Sequence, residues 1–208
     1  MTPAPAAPLP PFRLRRPVVL VGLMGAGKTT VGRRLAARLG VPFADSDDAV
    51  EEAARMTIPE IFARLGEPAF RDGERRVIAR LLDGPPQVIA TGGGAFMAGE
   101  SRALIKERAV SVWLRADLAV LVERTAKRGG RPLLAGRAPA DVLAELIAAR
   151  HPVYAEADLT IDSGAEDRHE AVAERILAAL AAHGDVLGGC DAAPPPAHRA
   201  AAPPKAPE

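Results

Sequence analysis

Gly22-Leu23-Met24-Gly25-Ala26-Gly27-Lys28-Thr29 fits the pattern G-x-x-x-x-G-K-[ST]. A loop that wraps polyphosphate must turn its backbone N–H groups inward, and glycine permits the required dihedrals without a Cβ in the way. In that pattern the backbone of Gly25, Ala26, Gly27, Lys28, Thr29 and Thr30 cradles the phosphates. Lys28 supplies a point charge for the β- and γ-phosphates, and Thr29 offers a hydroxyl to magnesium. ATP or GTP is the implied ligand; taken alone, the loop gives only the donor nucleotide.

Three further stretches carry groups suited to phosphoryl chemistry. Asp45-Ser46-Asp47-Asp48 is a cluster of acids, Gly92-Gly93-Gly94 presents backbone N–H groups, and residues 128–137 form a loop with glycine towards both ends and three arginines, Arg128, Arg131 and Arg137. A basic loop of that kind can close as a lid and bring a cation to the transferring group, although a solvated loop has the same composition. Neither Val88-Ile89-Ala90-Thr91-Gly92 nor Val110-Ser111-Val112-Trp113-Leu114-Arg115 ends in the aspartate common to motor-type ATPases. The acid near the phosphates must come from Asp45 or Asp47, which points to a small-molecule kinase.

The elements around these stretches alternate. Apolar runs at 18–21, 41–44, 87–91, 110–114 and 159–162 read as five strands. Helical patterns fall at 30–39, 49–56, 57–65, 67–82, 100–108, 118–127, 141–150 and 167–182. Thr57-Ile58-Pro59-Glu60 has the form of a capped helix start and Gly66 of a stop. Gly73 inside the helix after it costs about 1 kcal/mol relative to alanine, so either something approaches the backbone there or the cost is tolerated. Alternation of this kind predicts an α/β fold, a parallel sheet between two layers of helices, with ligands at the carboxyl edge of the strands.

Bulk properties narrow the partners. The 208-residue chain has a net charge of +1 and a pI near 8.0, so no global field draws it to nucleic acid or a membrane surface. No apolar run approaches the roughly 20 residues needed to span a bilayer. A single cysteine, Cys190, excludes an intramolecular disulfide and fits a reducing, cytoplasmic compartment. Residues 1–16 and 184–208, rich in proline and alanine, read as disordered extensions of a domain spanning 17–183. A monomer acting on small molecules is the expected state.

Together these motifs resemble the shikimate kinase family over about residues 17–165. The resemblance rests on Gly22 to Arg33, Asp45-Ser46-Asp47 with Glu51, Phe70-Arg71 with Glu74, Gly92-Gly93-Gly94-Ala95, Arg131-Pro132-Leu133-Leu134, and Arg150 ahead of Tyr154. It implies a nucleoside-monophosphate-kinase-like P-loop fold with a mobile lid at about 125–138. It also implies transfer of the γ-phosphoryl group of MgATP to the 3-hydroxyl of shikimate. Arg71 and Arg150 would hold the carboxylate, Asp47 the ring hydroxyls, and Gly92, Gly93 and Gly94 would line the pocket; a guanidinium matches a carboxylate bidentately. Lys28 and Arg131 would stabilise phosphoryl charge, with Asp47 either orienting or deprotonating the hydroxyl. Thr29 would bind the metal directly, Asp45 through a water, and Arg124 would lie on adenine. Glu74 would fix Arg71, one turn away. Phe62 and Phe70 either pack on the ring or belong to the core. The alternatives are another small-molecule kinase, such as a gluconate or nucleoside monophosphate kinase, and a nucleotide-binding regulatory module without catalysis.

Overall fold

A continuous apolar run is satisfied by burial on both faces of a sheet, and Val18–Val21 is the central strand of five, its four side chains fully buried. Successive strand residues point to opposite faces, so four in a row without exposure require a helical layer on each side. The structure, a computed structural model, describes residues 13–126, 138–184 and 186–188. Its first half comprises β1 (Arg13–Leu14), β2 (Val18–Val21), α1 (Lys28–Leu39), β3 (Phe43–Asp45), α2 (Ser46–Ala54), α3 (Ile58–Leu82) and β4 (Val88–Ala90). A short 3₁₀ turn (Ala95–Met97) follows, then α4 (Gly99–Arg108), β5 (Val110–Arg115), α5 (Leu118–Ala126), α6 (Pro139–Tyr154), β6 (Leu159–Asp162), α7 (His169–Ala182) and β7 (Leu187–Gly188).

The main sheet runs β3-β4-β2-β5-β6, all parallel. Parallel neighbours require crossovers, and each is made by the helical stretch between them. The loops after β2, β3, β4 and β6 therefore open at one edge, which places residues 22–29, Asp47, residues 92–94 and Ser163 together.

Several boundaries differ from the expected ones for identifiable reasons. Helix α2 begins at Ser46 rather than Ala49, because the Asp45 side chain accepts the Asp47 N–H at 3.1 Å and caps it. Asp47 thus sits in a first helical turn rather than in a loop. Helix α6 runs through Pro152 to Tyr154, beyond the expected end at Arg150; Tyr154 is fully buried, and the packing of its ring holds the last turn. In α3 the expected break at Gly66 is present as a kink, with φ 80° and ψ 170°, and Thr57 and Glu60 form the reciprocal cap. Among the described residues nothing lies within 4 Å of the place a Gly73 Cβ would occupy.

The ends of the domain also extend further than 17 and 183. Strands β1 and β7 pair antiparallel, with Arg13 opposite Gly188 and Leu14 opposite Leu187, and the Arg15 N–H donates to the Val186 carbonyl at 2.8 Å. Leu14 and Val186 are buried in the main core, and Arg16 donates to the carbonyls of Glu107 (2.9 Å) and Ala109 (3.2 Å). Two-residue strands carry no periodicity, so a proline-rich approach and three arginines masked the apolar Leu14 between them. A second, smaller core of Val50, Ile61, Phe70 and Val77 joins α2 to α3. Phe70 is therefore a core residue, while Phe62 is 38% exposed with its ring 4.7 Å from that of Phe70.

Candidate active site

The loop after β2 is shaped by backbone. Gly22 has φ 136°, and a Cβ there would stand 2.7 Å from the Leu114 carbonyl oxygen, so the loop lies directly against β5. Gly25 and Gly27 also take positive φ, and α1 starts at Lys28, aiming its N-terminus into the loop. The buried Lys28 ammonium donates to the carbonyls of Gly22 (2.7 Å) and Leu23 (2.9 Å), which holds the charge across the loop mouth. Thr29 Oγ1 donates to Asp45 Oδ2 at 2.8 Å. A hydroxyl and a carboxylate brought together are hard oxygen donors, a set that suits Mg²⁺ retaining several waters.

A cavity of about 410 Å³ extends from this loop, lined also by Asp45, Asp47, Gly92, Arg124 and His169. The Arg124 guanidinium donates to Ser163 Oγ (2.9 Å) and to the Gly164 carbonyl (2.6 Å). That loop is itself braced, since Asp167 Oδ2 accepts the Gly164 N–H at 2.7 Å and Arg175 at 2.5 Å. Arg124 is thus a half-buried, fixed plane at the cavity wall and not a helix residue turned to solvent.

On the other side, residues 92–94 are a seat for three side chains from three helices. A Cβ on Gly92 would stand 2.5 Å from Asp47 Oδ1, one on Gly93 3.5 Å from Arg150 Nη1, and one on Gly94 2.5 Å from Arg71 Nη1. The absence of side chains is what lets Asp47, Arg150 and Arg71 close on the turn. The turn is fastened at its start: Thr91 Oγ1 donates to the Leu20 carbonyl (2.9 Å), and the Gly92 N–H donates to the buried Ser46 Oγ at 3.2 Å. Arg150 and Tyr154 both donate to the Gly93 carbonyl, at 2.9 and 2.5 Å.

Charge is concentrated here. Burial pushes the Asp47 carboxyl up to about 6, reinforced by Asp45 and Glu74, with the Lys28 cation pulling the other way. Burial likewise raises Glu74, and the Arg71 guanidinium, 2.8 Å away, draws it partly back. Glu67 adds a second acid to Arg71 at 3.2 Å. The expected support of Arg71 by Glu74 is therefore formed despite Gly73 between them. Glu51 has a local structural contact: its carboxylate accepts the Ile58 N–H at 2.7 Å.

Of the expected site residues that the structure describes, Gly25, Gly27, Lys28, Thr29, Thr30, Asp45, Asp47, Gly92, Gly93 and Arg124 line the cavity, Arg71 and Arg150 meet Gly94 and Gly93 at the glycine turn, and Ala26 is buried within the loop. Arg131 and most of the stretch expected as a lid lie outside the described residues. Sequence reading gave no role to Ser46, Ser163 or Asp167, whose contribution is to hold the backbone on which the named residues rest.

A family model described as Shikimate kinase matches residues 24–181. The chain belongs to the shikimate kinase family. It is 59% identical over 172 residues to a shikimate kinase of Caulobacter vibrioides, covering 83% of this chain and 85% of that one. The shikimate kinase of Rhodopseudomonas palustris is 58% identical over 165 residues, covering 79% and 81%. Among solved structures, a shikimate kinase from Acinetobacter baumannii in complex with shikimate superposes with a TM-score of 0.77 at 38% identity, covering 81% of this chain and 94% of that one. The family match takes in all the site residues just named, Arg131 included. As in the family at large, the enzyme is a P-loop kinase built on a five-stranded parallel sheet. Among the described residues no helix is long and apolar enough to cross a membrane.

Proposed function

We propose that this protein transfers the γ-phosphoryl group of ATP to the 3-hydroxyl of shikimate, releasing ADP and shikimate 3-phosphate. The observation that carries this reading is the seating of Asp47, Arg150 and Arg71 on the three glycines of one turn, where a Cβ on the middle glycine would stand 3.7 Å from both the Gly22 carbonyl oxygen and the Met24 nitrogen. Two guanidinium groups beside one carboxylate match an acceptor that carries an acid at one end and hydroxyls at the other. A nucleotide acceptor would call for further phosphate and base contacts.

In the proposed reaction the acceptor oxygen bonds to the γ-phosphorus as the bond from that phosphorus to the β–γ bridging oxygen breaks. Asp47, ionised, accepts a hydrogen bond from the hydroxyl, aligns it and takes its proton. Lys28 stabilises charge on the phosphoryl oxygens. Arg124 offers its braced face to the base, and Arg131, proposed from its motif alone, adds a second cation to the phosphates. Thr29 and Asp45 would hold Mg²⁺, whose charge would offset that of the polyphosphate. A cytoplasmic monomer is the proposed working form.

The test is ADP release with shikimate, gluconate and nucleoside monophosphates offered in parallel. Turnover with shikimate far above background ATP hydrolysis is expected; turnover only with another acceptor would overturn the reading.

A further inference from the structure

We propose that Tyr154 is a positioning residue of the acceptor site, its hydroxyl fixing the Gly93 peptide that joins the acceptor seat to the phosphate loop. The inference rests on the reaction proposed above, and goes beyond it in assigning a task to a fully buried side chain.

A carbonyl oxygen has two lone pairs, and those of Gly93 are used by Tyr154 Oη at 2.5 Å and Arg150 Nη1 at 2.9 Å. Both donors come from one face of α6, four residues apart. Pro152 lies between them, where a helix commonly stops, yet α6 continues to Tyr154 and buries it completely. The extra turn is what brings the phenol to Gly93.

The peptide so held is the hinge point of the site. Gly92, before it, seats Asp47; Gly94, after it, seats Arg71; and Gly93 itself faces Gly22 and Met24 of the phosphate loop. A tilt of this one peptide would move the acid, both guanidinium groups and their distance from the donor together. With the hydroxyl removed, the Gly93 carbonyl keeps Arg150 alone, and Arg150 must then serve as both anchor and carboxylate ligand. Burial raises the Tyr154 phenol above its ordinary value, with Arg150 acting in the other direction, so the hydroxyl remains a donor throughout the neutral range.

Replacement by phenylalanine isolates the hydroxyl, because the ring contacts with Phe96 (6.5 Å between centroids) and Trp113 (6.0 Å) need no oxygen. For Tyr154→Phe, kcat with shikimate is expected to fall about tenfold and the shikimate KM to rise severalfold, while the ATP KM stays within about twofold. The loss should be constant between about pH 6.5 and 9, since the missing group does not titrate there. With Arg150→Lys added, the combined loss should be smaller than the product of the two single losses, because the two side chains bond one oxygen and also each other. Steady-state constants and thermal melts of the unaltered and altered proteins, measured side by side, decide the matter. Unchanged constants in Tyr154→Phe, whether or not its Tm falls, would overturn the positioning role. Failure of the unaltered protein to phosphorylate shikimate is a separate outcome, which removes the proposed reaction and this inference with it.

Discussion

The phosphate loop takes its shape within Gly22 to Thr29, from backbone dihedrals, a helix N-terminus and one lysine, whereas the acceptor seat gathers Asp47 from α2, Arg71 from α3 and Arg150 from α6 onto residues 92–94. The first is a local, main-chain construction; the second depends on long-range packing of side chains. They also differ in electrostatic cost. The donor side is a set of N–H groups and one cation hydrogen-bonded to two carbonyls. The acceptor side keeps Asp47 and Glu74 buried enough that both resist ionisation. The carboxylates beside the glycine turn are held against their ionisation, while the buried Lys28 cation is offset by the two loop carbonyls it bonds.

Substitutions can break this contrast one half at a time. On the donor side, Lys28→Met keeps the bulk and removes the charge; kcat should fall by about 10³-fold with the shikimate KM changed by less than about threefold. A coupled ADP assay reads both, and a loss shared equally with the shikimate KM would mean the halves are not separable.

Asp47→Asn should lower kcat by about 10²-fold and at the same time raise the melting temperature above pH 6. The sign follows from a folded-state value near 6 against an ordinary 3.8: ionisation is opposed in the fold, so the penalty is complete above about pH 6 and vanishes below the unfolded value. The amide removes that penalty, about 3 kcal/mol at most and less after local relaxation, so the difference in Tm between the two proteins should close as pH falls towards 4. For the unaltered enzyme, kcat/KM should decline as pH drops through about 6, where Asp47 loses its ionised form. A melting curve in which the aspartate protein is the more stable at neutral pH would contradict the assignment of the cost.

The smallest catalytic effect is expected far from both halves. Leu14→Ala at the β1–β7 ribbon should cost about 2–4 kcal/mol in chemical denaturation and leave kcat and both KM values unchanged.

How much of this was legible in the chain follows the same division. The phosphate loop could be read almost whole, because its determinants are contiguous and glycine at those positions has a conformational reason. The five strands were equally plain as apolar runs, and Gly66 marked its kink through its own φ. The triplet at 92–94 announced a turn, and the family resemblance supplied which side chains it would receive. Composition alone could not say that Asp47 meets Gly92 or Arg71 meets Gly94, since those contacts depend on how α2 and α3 pack. Ser46 and Tyr154 escaped for a related reason: each bonds a backbone group 46 or 61 residues away. The ribbon was missed because two residues per strand leave no pattern, and Pro152 misled because tertiary burial of Tyr154 outweighs a proline's tendency to end a helix.

The most direct test of the division is Gly94→Ala. Gly94 has φ −99° and ψ −18°, which alanine adopts without strain, so the substitution adds one methyl group at 2.5 Å from the Arg71 guanidinium and changes little else. The shikimate KM should rise at least about tenfold as Arg71 is displaced, with the dissociation constant for ATP within about twofold of the unaltered value. An unchanged shikimate KM, or equal losses for both substrates, would contradict an acceptor seat built on that glycine turn.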